Sequence, residues 1–135
     1  MKVGSYNMKI IIVVLVSLSL SFASDVLIDK KTGLMWQDNA VIKKDWQGAV
    51  LFCKELQLEG YHNWRLPDIN ELLGTIKTTK HRFKNIGGSG YYWSSSEHDS
   101  SEGFAWMMNF KRSYKYINYK TYERYIRCVR STVKK

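Results

Sequence analysis

From Ile10 to Phe22 the chain is an unbroken run of apolar and serine side chains, preceded by Lys9 and followed by Ala23. Ser21 and Ala23 place small residues at the −3 and −1 positions of a cleavage site, so residues 1–23 read as a signal peptide. The run of 13 residues is short of the roughly 20 needed for a helix to cross a bilayer. Cleavage after Ala23 is therefore expected, with no stable membrane span left behind. This feature limits the fold because it sets the compartment. A periplasmic or secreted domain matures in an oxidising environment, where cysteines are free to pair.

Only two cysteines occur in the 135 residues, Cys53 and Cys128, and both lie after the signal peptide. An even count in an exported chain favours one disulfide over two thiols. No CxxC spacing and no histidine within a helical turn of either cysteine marks a metal ligand set or a reactive thiol. The region 24–135 is long enough for one hydrophobic core and too short for two, so it reads as a single domain.

Along that domain, Val26-Leu27-Ile28 and Leu34-Met35-Trp36 flank a polar turn closed by Gly33, which predicts a hairpin. Asp45 precedes Ala49, Val50, Cys53 and Leu56 at helical spacing, predicting a helix that ends near Gly60. Asp68 and Glu71 have the spacing of a capping box, predicting a second helix to about Ile76. The segment from Thr78 to Gly90 is polar and without periodicity, and Gly87-Gly88-Ser89-Gly90 reads as a flexible loop. Beyond it, Phe104 to Phe110, Tyr114 to Tyr119 and Tyr122 to Arg130 are aromatic and β-branched runs, as in an antiparallel meander. Helices and strands in separate blocks predict an α+β fold with two helices packed on an antiparallel sheet.

Candidate chemistry is sparse. Ser94, Ser95 and Ser96 lie near His98, the one local arrangement resembling a nucleophile with a base, but adjacency in sequence does not make a triad and tight serine turns are the plainer reading. Glu97, His98, Asp99 and Glu102 form an acidic cluster without calcium-loop spacing, which reads as a solvated loop. No catalytic residue, metal site or cofactor is expected. The most suggestive stretch begins at Lys111: Lys111, Arg112, Lys115, Lys120, Arg124, Arg127 and Arg130 interleave with Tyr114, Tyr116, Tyr119, Tyr122 and Tyr125. Tyrosine faces stack on sugar rings, and lysine and arginine pair with sulfate or carboxylate. Lys111, Arg112, Tyr114, Lys115, Tyr116, Lys120 and Arg124 are the ligand-binding candidates.

The chain carries a net charge of +9, and removing residues 1–23 takes away Lys2 and Lys9 and no acid, leaving +7. A basic exported domain meets membrane surfaces, acidic polysaccharide and nucleic acid, and net charge alone does not choose among them. Export makes nucleic acid a less available partner than envelope or host polysaccharide.

In order, Thr32-Gly33-Leu34-Met35-Trp36-Gln37, Trp46 with Ala49 and Cys53, Trp64-Arg65-Leu66-Pro67 with Asn70-Glu71-Leu72, Tyr92-Trp93-Ser94-Ser95-Ser96 and Arg127-Cys128-Val129-Arg130 resemble the Lcl C-terminal domain family. The resemblance implies a fold akin to C-type lectins and formylglycine-generating enzymes, with an early helix tied to the last strand by a disulfide. Cys53 and Cys128 fit that placement. It also implies a binding role, since the adhesin that gave the family its name is associated with sulfated glycans. The sugar-site triplets of calcium-dependent lectins are missing, and the two cysteines are already used as a staple rather than as a catalytic pair. Lys111-Arg112-Ser113 stands where the family often has a glycine turn. The resulting expectation is a non-catalytic binding module for an anionic glycan or envelope polymer. An envelope-acting enzyme using Ser94 to Glu102, or a structural accessory to an envelope protein, are its rivals.

Overall fold

The structure is a computed structural model that describes residues 24–86 and 90–132. The expected signal peptide and Gly87 to Ser89 of the expected loop lie outside the described residues. Strands β1 (Val26–Asp29) and β2 (Leu34–Gln37) form the predicted hairpin, its turn closed by Gly33 at φ 70° with its N–H on the Asp29 carbonyl at 2.9 Å. After a two-residue strand β3 (Lys43–Lys44), helix α1 runs over Trp46–Glu55. The Asp45 carboxylate caps it by accepting from the Gly48 N–H at 2.8 Å.

This helix stops before Gly60. Leu56 turns extended, and Leu58 and Tyr61 pair across a tight turn in which Glu59 and Gly60 adopt positive φ, an arrangement incompatible with continued helix. Helix α2 spans Ile69–Thr78 and carries the complete capping box: Asp68 accepts from the Glu71 N–H at 2.7 Å and Glu71 accepts from the Asp68 N–H at 3.0 Å. A single 3-10 turn, Lys80–Arg82, follows.

Strands β4 (Tyr91–His98), β5 (Ser101–Asn109) and β6 (Tyr114–Tyr119) then form an antiparallel meander. Two expectations fail here. Ser94 to Ser96 form no turn; they continue β4, because the Ser94 hydroxyl donates to the Trp106 carbonyl at 2.6 Å and the Ser95 N–H bonds the Pro67 carbonyl at 2.7 Å. The acidic cluster is accordingly the β4–β5 hairpin rather than an open loop, with Glu97 and His98 in β4 and Glu102 in β5.

The run Tyr122 to Arg130 is not one strand either. It splits into β7 (Arg124–Tyr125), which joins a five-stranded sheet of order β3-β7-β4-β5-β6, and β8 (Val129–Ser131), which pairs with β2 in a three-stranded sheet. The crossing between the sheets carries Arg127 to a buried ion pair with Asp38 at 3.2 Å and Cys128 to the disulfide with Cys53, Cα atoms 5.4 Å apart.

Because strand side chains alternate, the large sheet buries both faces. Trp93 and Met107 point toward α1 and pack with Trp46, Ala49, Cys53 and Trp64. Tyr92 and Met108 point toward α2 and pack with Trp36, Leu72, Ile76, Phe83 and Phe110. Each such side chain, fully withdrawn from water, contributes about 1.5–3 kcal/mol. The strand β6 remains at the edge of the sheet.

Candidate functional site

The expected binding stretch meets the alternation of an edge strand. Tyr116 turns inward against Tyr91, ring centroids 5.5 Å apart, and Tyr114, 57% exposed, lies 5.8 Å from Tyr116. Lys115 projects from the other face and sets its ammonium 4.5 Å from the centre of the Trp106 ring. Lys120 sits 4.3 Å over the Trp46 ring and 2.8 Å from Glu97, so its charge already has a carboxylate partner. Arg124 donates to the Glu123 carbonyl at 2.8 Å and stacks on Tyr122. Arg127, which the interleaved pattern places with the surface cations, is 2% exposed. Phe83 lies 4.0 Å under its guanidinium, which donates to Gln37, Asp38 and Asn85. Arg130 donates to the His62 carbonyl at 3.1 Å beside Tyr61.

Lys111 and Arg112 precede the strand. They occupy the β5–β6 turn, held open by Asn109, whose side-chain oxygen accepts from both of their N–H groups at 2.9 Å. Ser113 completes the turn at φ 61°, taking the left-handed conformation that glycine adopts without strain. The result is an exposed basic tip. Lys111 lines a cleft of about 330 Å³ together with Lys80, His81, Phe83, Ile86 and Phe110, and the Lys80 ammonium approaches the Phe110 carbonyl at 3.4 Å.

On the other side of the 3-10 turn lies a second cleft, of about 360 Å³, lined by Asp29, Lys30, Lys31, Thr78, Thr79 and Arg82. Three basic turns distant in sequence thus meet around the Lys80–Arg82 segment: Lys30 and Lys31 between β1 and β2, Lys80 and Arg82 after α2, and Lys111 after β5. The acid lining these clefts, Asp29, is buried rather than at the rim.

The remaining candidates are tied into the framework. Ser96 accepts from the Ile69 N–H at 3.0 Å, the Ser94 hydroxyl is spent on Trp106, and the His98 Nδ1 pairs with the Ser100 hydroxyl at 2.9 Å. Trp64 is buried, and Arg65 forms a two-pronged ion pair with Glu71 at 2.6 and 2.8 Å. Among the described residues no group of three or more His, Cys, Asp or Glu is arranged to hold a metal ion, and no helix is long and apolar enough to cross a membrane.

Residues 25–130 match the Lcl C-terminal domain. The chain belongs to that family. No curated protein matches this Lcl C-terminal domain. Among solved structures, botrocetin superposes on it with a TM-score of 0.54 at 14% identity, covering 82% of this chain and 98% of that one. The fold of the Lcl C-terminal domain is accordingly C-type lectin-like, two helices with a three-stranded antiparallel sheet, a five-stranded sheet that is antiparallel except where β7 runs parallel to β4, and one disulfide. Of the candidates read from the sequence, Lys111 lines one of these clefts and Arg112 neither, while Lys30, Lys31, Lys80 and Arg82, which were not singled out, line them. The available signal was that Lys30 and Lys31 fall in the predicted hairpin turn and Lys80 and Arg82 in the polar, aperiodic stretch after Thr78, where side chains are free to face outward.

Proposed function

We propose that this domain is an exported, non-catalytic binding module that holds an anionic glycan or cell-envelope polymer at the end of the molecule where the three basic turns meet. The signal peptide of residues 1–23 would deliver it to the periplasm or the exterior. The observation that carries the reading is the convergence of Lys30, Lys31, Lys80, Arg82 and Lys111 on two adjoining clefts whose rims hold cations and no acid. Fixed cations focused on concave surface attract polyanions, and their pull is screened over about 8 Å at physiological ionic strength. Arg112 extends this surface at its exposed tip. Tyr114, exposed beside the tip, offers an aromatic face on which a sugar ring stacks, with Tyr116, half-buried against Tyr91 on the α1 side of the sheet, supporting it. Lys115, Lys120 and Arg124 would contribute at longer range, since each is already engaged by an aromatic ring.

The test is elution from immobilised heparin against elution from a plain sulfonate exchanger. The domain should be retained on heparin beyond its position on the sulfonate resin, and Lys80→Glu with Arg82→Glu should abolish the difference with only a small fall in melting temperature, because Arg82 is exposed and half-buried Lys80 gives up one long hydrogen bond to the Phe110 carbonyl. Identical retention on the two resins, unmoved by the reversal, would show a surface that is merely basic.

A further inference from the structure

We propose that the cleft between the β1–β2 turn and the end of α2 is a subsite for one acidic sugar residue, a polyhydroxylated ring bearing a carboxylate or sulfate. The assignment rests on the anionic-polymer reading above and adds a chemical selectivity to it. Its starting point is Asp29, the last residue of β1, which is 2% exposed. One carboxylate oxygen accepts from the Lys31 N–H at 3.1 Å. The other, Oδ2, is buried with no hydrogen-bond partner among the described residues. A desolvated carboxylate oxygen without a donor is costly and uncommon in native proteins, and here it belongs to a residue that lines a cleft.

Two threonines that also line the cleft, exposed Thr78 and buried Thr79, add further acceptors. The Thr78 hydroxyl donates to the Gly74 carbonyl at 3.1 Å and the Thr79 hydroxyl to the Thr75 carbonyl at 3.0 Å. With their hydrogens committed to the helix, both oxygens keep only lone pairs for a further partner. Asp29, Thr78 and Thr79 therefore make a wall of acceptors. The rim is its opposite: Lys30, Lys31 and Arg82 are donors only, each positively charged.

A ligand satisfying both parts must turn O–H or N–H groups inward and a negative charge outward. A bare metal cation is repelled by the rim, and a bare phosphate or sulfate would set an anion against Asp29 with nothing to donate. A sugar ring with one acidic substituent meets both demands, its hydroxyls donating to Asp29 and the threonines while its carboxylate or sulfate engages the Arg82 fork. About 360 Å³ is within the size of small-ligand sites and suits one ring of a chain rather than several.

The experiment compares binding of a heparin oligosaccharide with binding of polyphosphate of equal charge, a polyanion without sugar hydroxyls, by titration calorimetry. Asp29→Asn retains an oxygen for the Lys31 N–H, and Thr78→Val removes one hydroxyl at an exposed position, so the pair guards against misfolding. Both should lower the ratio of heparin to polyphosphate affinity, Asp29→Asn by about tenfold since it removes a charged acceptor. Polyphosphate affinity should stay level or rise, because a repelling carboxylate is gone. If Asp29→Asn raises both affinities alike and Thr78→Val changes neither, the cleft senses charge alone; the subsite is overturned while the polymer reading stands. If Lys80→Glu with Arg82→Glu leaves heparin binding intact, it is the polymer reading that fails. Free glucuronate should compete with heparin better than glutamate does; the reverse order would reassign the cleft to zwitterions and overturn the sugar.

Discussion

Replacing both cysteines, Cys53→Ala with Cys128→Ala, should cost the domain at least a third of its stability margin. The bridge joins positions 75 residues apart, tying α1 to the segment just before β8. By the chain-entropy account, closing a loop of that size removes about 15 cal/mol/K from the unfolded chain, or about 4.5 kcal/mol at 25 °C. Domains of this size are stable by roughly 5–15 kcal/mol, so the loss is between a third and nearly all of the total. With an unfolding entropy of about 2 cal/mol/K per residue over the region after the signal peptide, the melting temperature should fall by roughly 20 °C. Both sulfurs are fully buried in the core beside Trp46, Ala49 and Trp64, so alanine also forfeits packing and the shift should not be smaller. Thermal unfolding followed by circular dichroism measures the shift, and the wild type reduced with dithiothreitol should melt close to the double variant. A variant melting within about 5 °C of the oxidised wild type would refute the entropic reasoning, since it predicts several times that shift.

Three further outcomes follow from the framework around the clefts. Asp38→Asn should destabilise by about 3–5 kcal/mol in urea unfolding, because it leaves the buried Arg127 guanidinium without its counter-charge. Ser113→Gly should stabilise by about 0.5–1 kcal/mol, seen as a raised urea midpoint, by relieving a left-handed serine at the β5–β6 turn. Burial pushes the Glu71 carboxyl pKa up, but hydrogen bonds from Arg65 and from the Asp68 N–H outweigh it and hold the value below the usual glutamate range. A pKa lowered by folding stabilises fully above the unfolded value near about 4.3 and is lost as pH falls through the folded one. Glu71→Gln, which can still complete the capping box, should therefore flatten the decline in urea midpoint below about pH 5; an unchanged slope would assign that decline to other carboxyls.

What the sequence reveals of this fold is what neighbouring residues decide. The Val26 to Trp36 hairpin, the Asp45 cap and the Asp68–Glu71 box each depend on residues within a few positions of one another, and all three form. The C-terminal run was illegible because Tyr122 to Arg130 reads as one strand until its partners are known. Asp38, Cys53 and Leu34 to Trp36, up to nearly a hundred positions away, are what draw it from one sheet into the other.

The same distinction separates the two views of the proposed binding surface. Lys111 to Arg124 looks continuous along the chain, yet a strand sends neighbours to opposite faces, so Lys115 goes to Trp106 while Tyr114 and Tyr116 run toward Tyr91. Lys30, Lys80 and Lys111 are separated by fifty and by thirty-one positions, and no pattern along the sequence links them. They adjoin because the β1–β2 turn, the end of α2 and the β5–β6 turn all border the core that Trp36, Phe83 and Phe110 build, in which Phe83 packs edge-on against the other two rings. That aromatic trio is where fold and proposed function meet: it places three basic turns around two clefts, and a truncation such as Phe83→Ala should loosen anion binding and stability together.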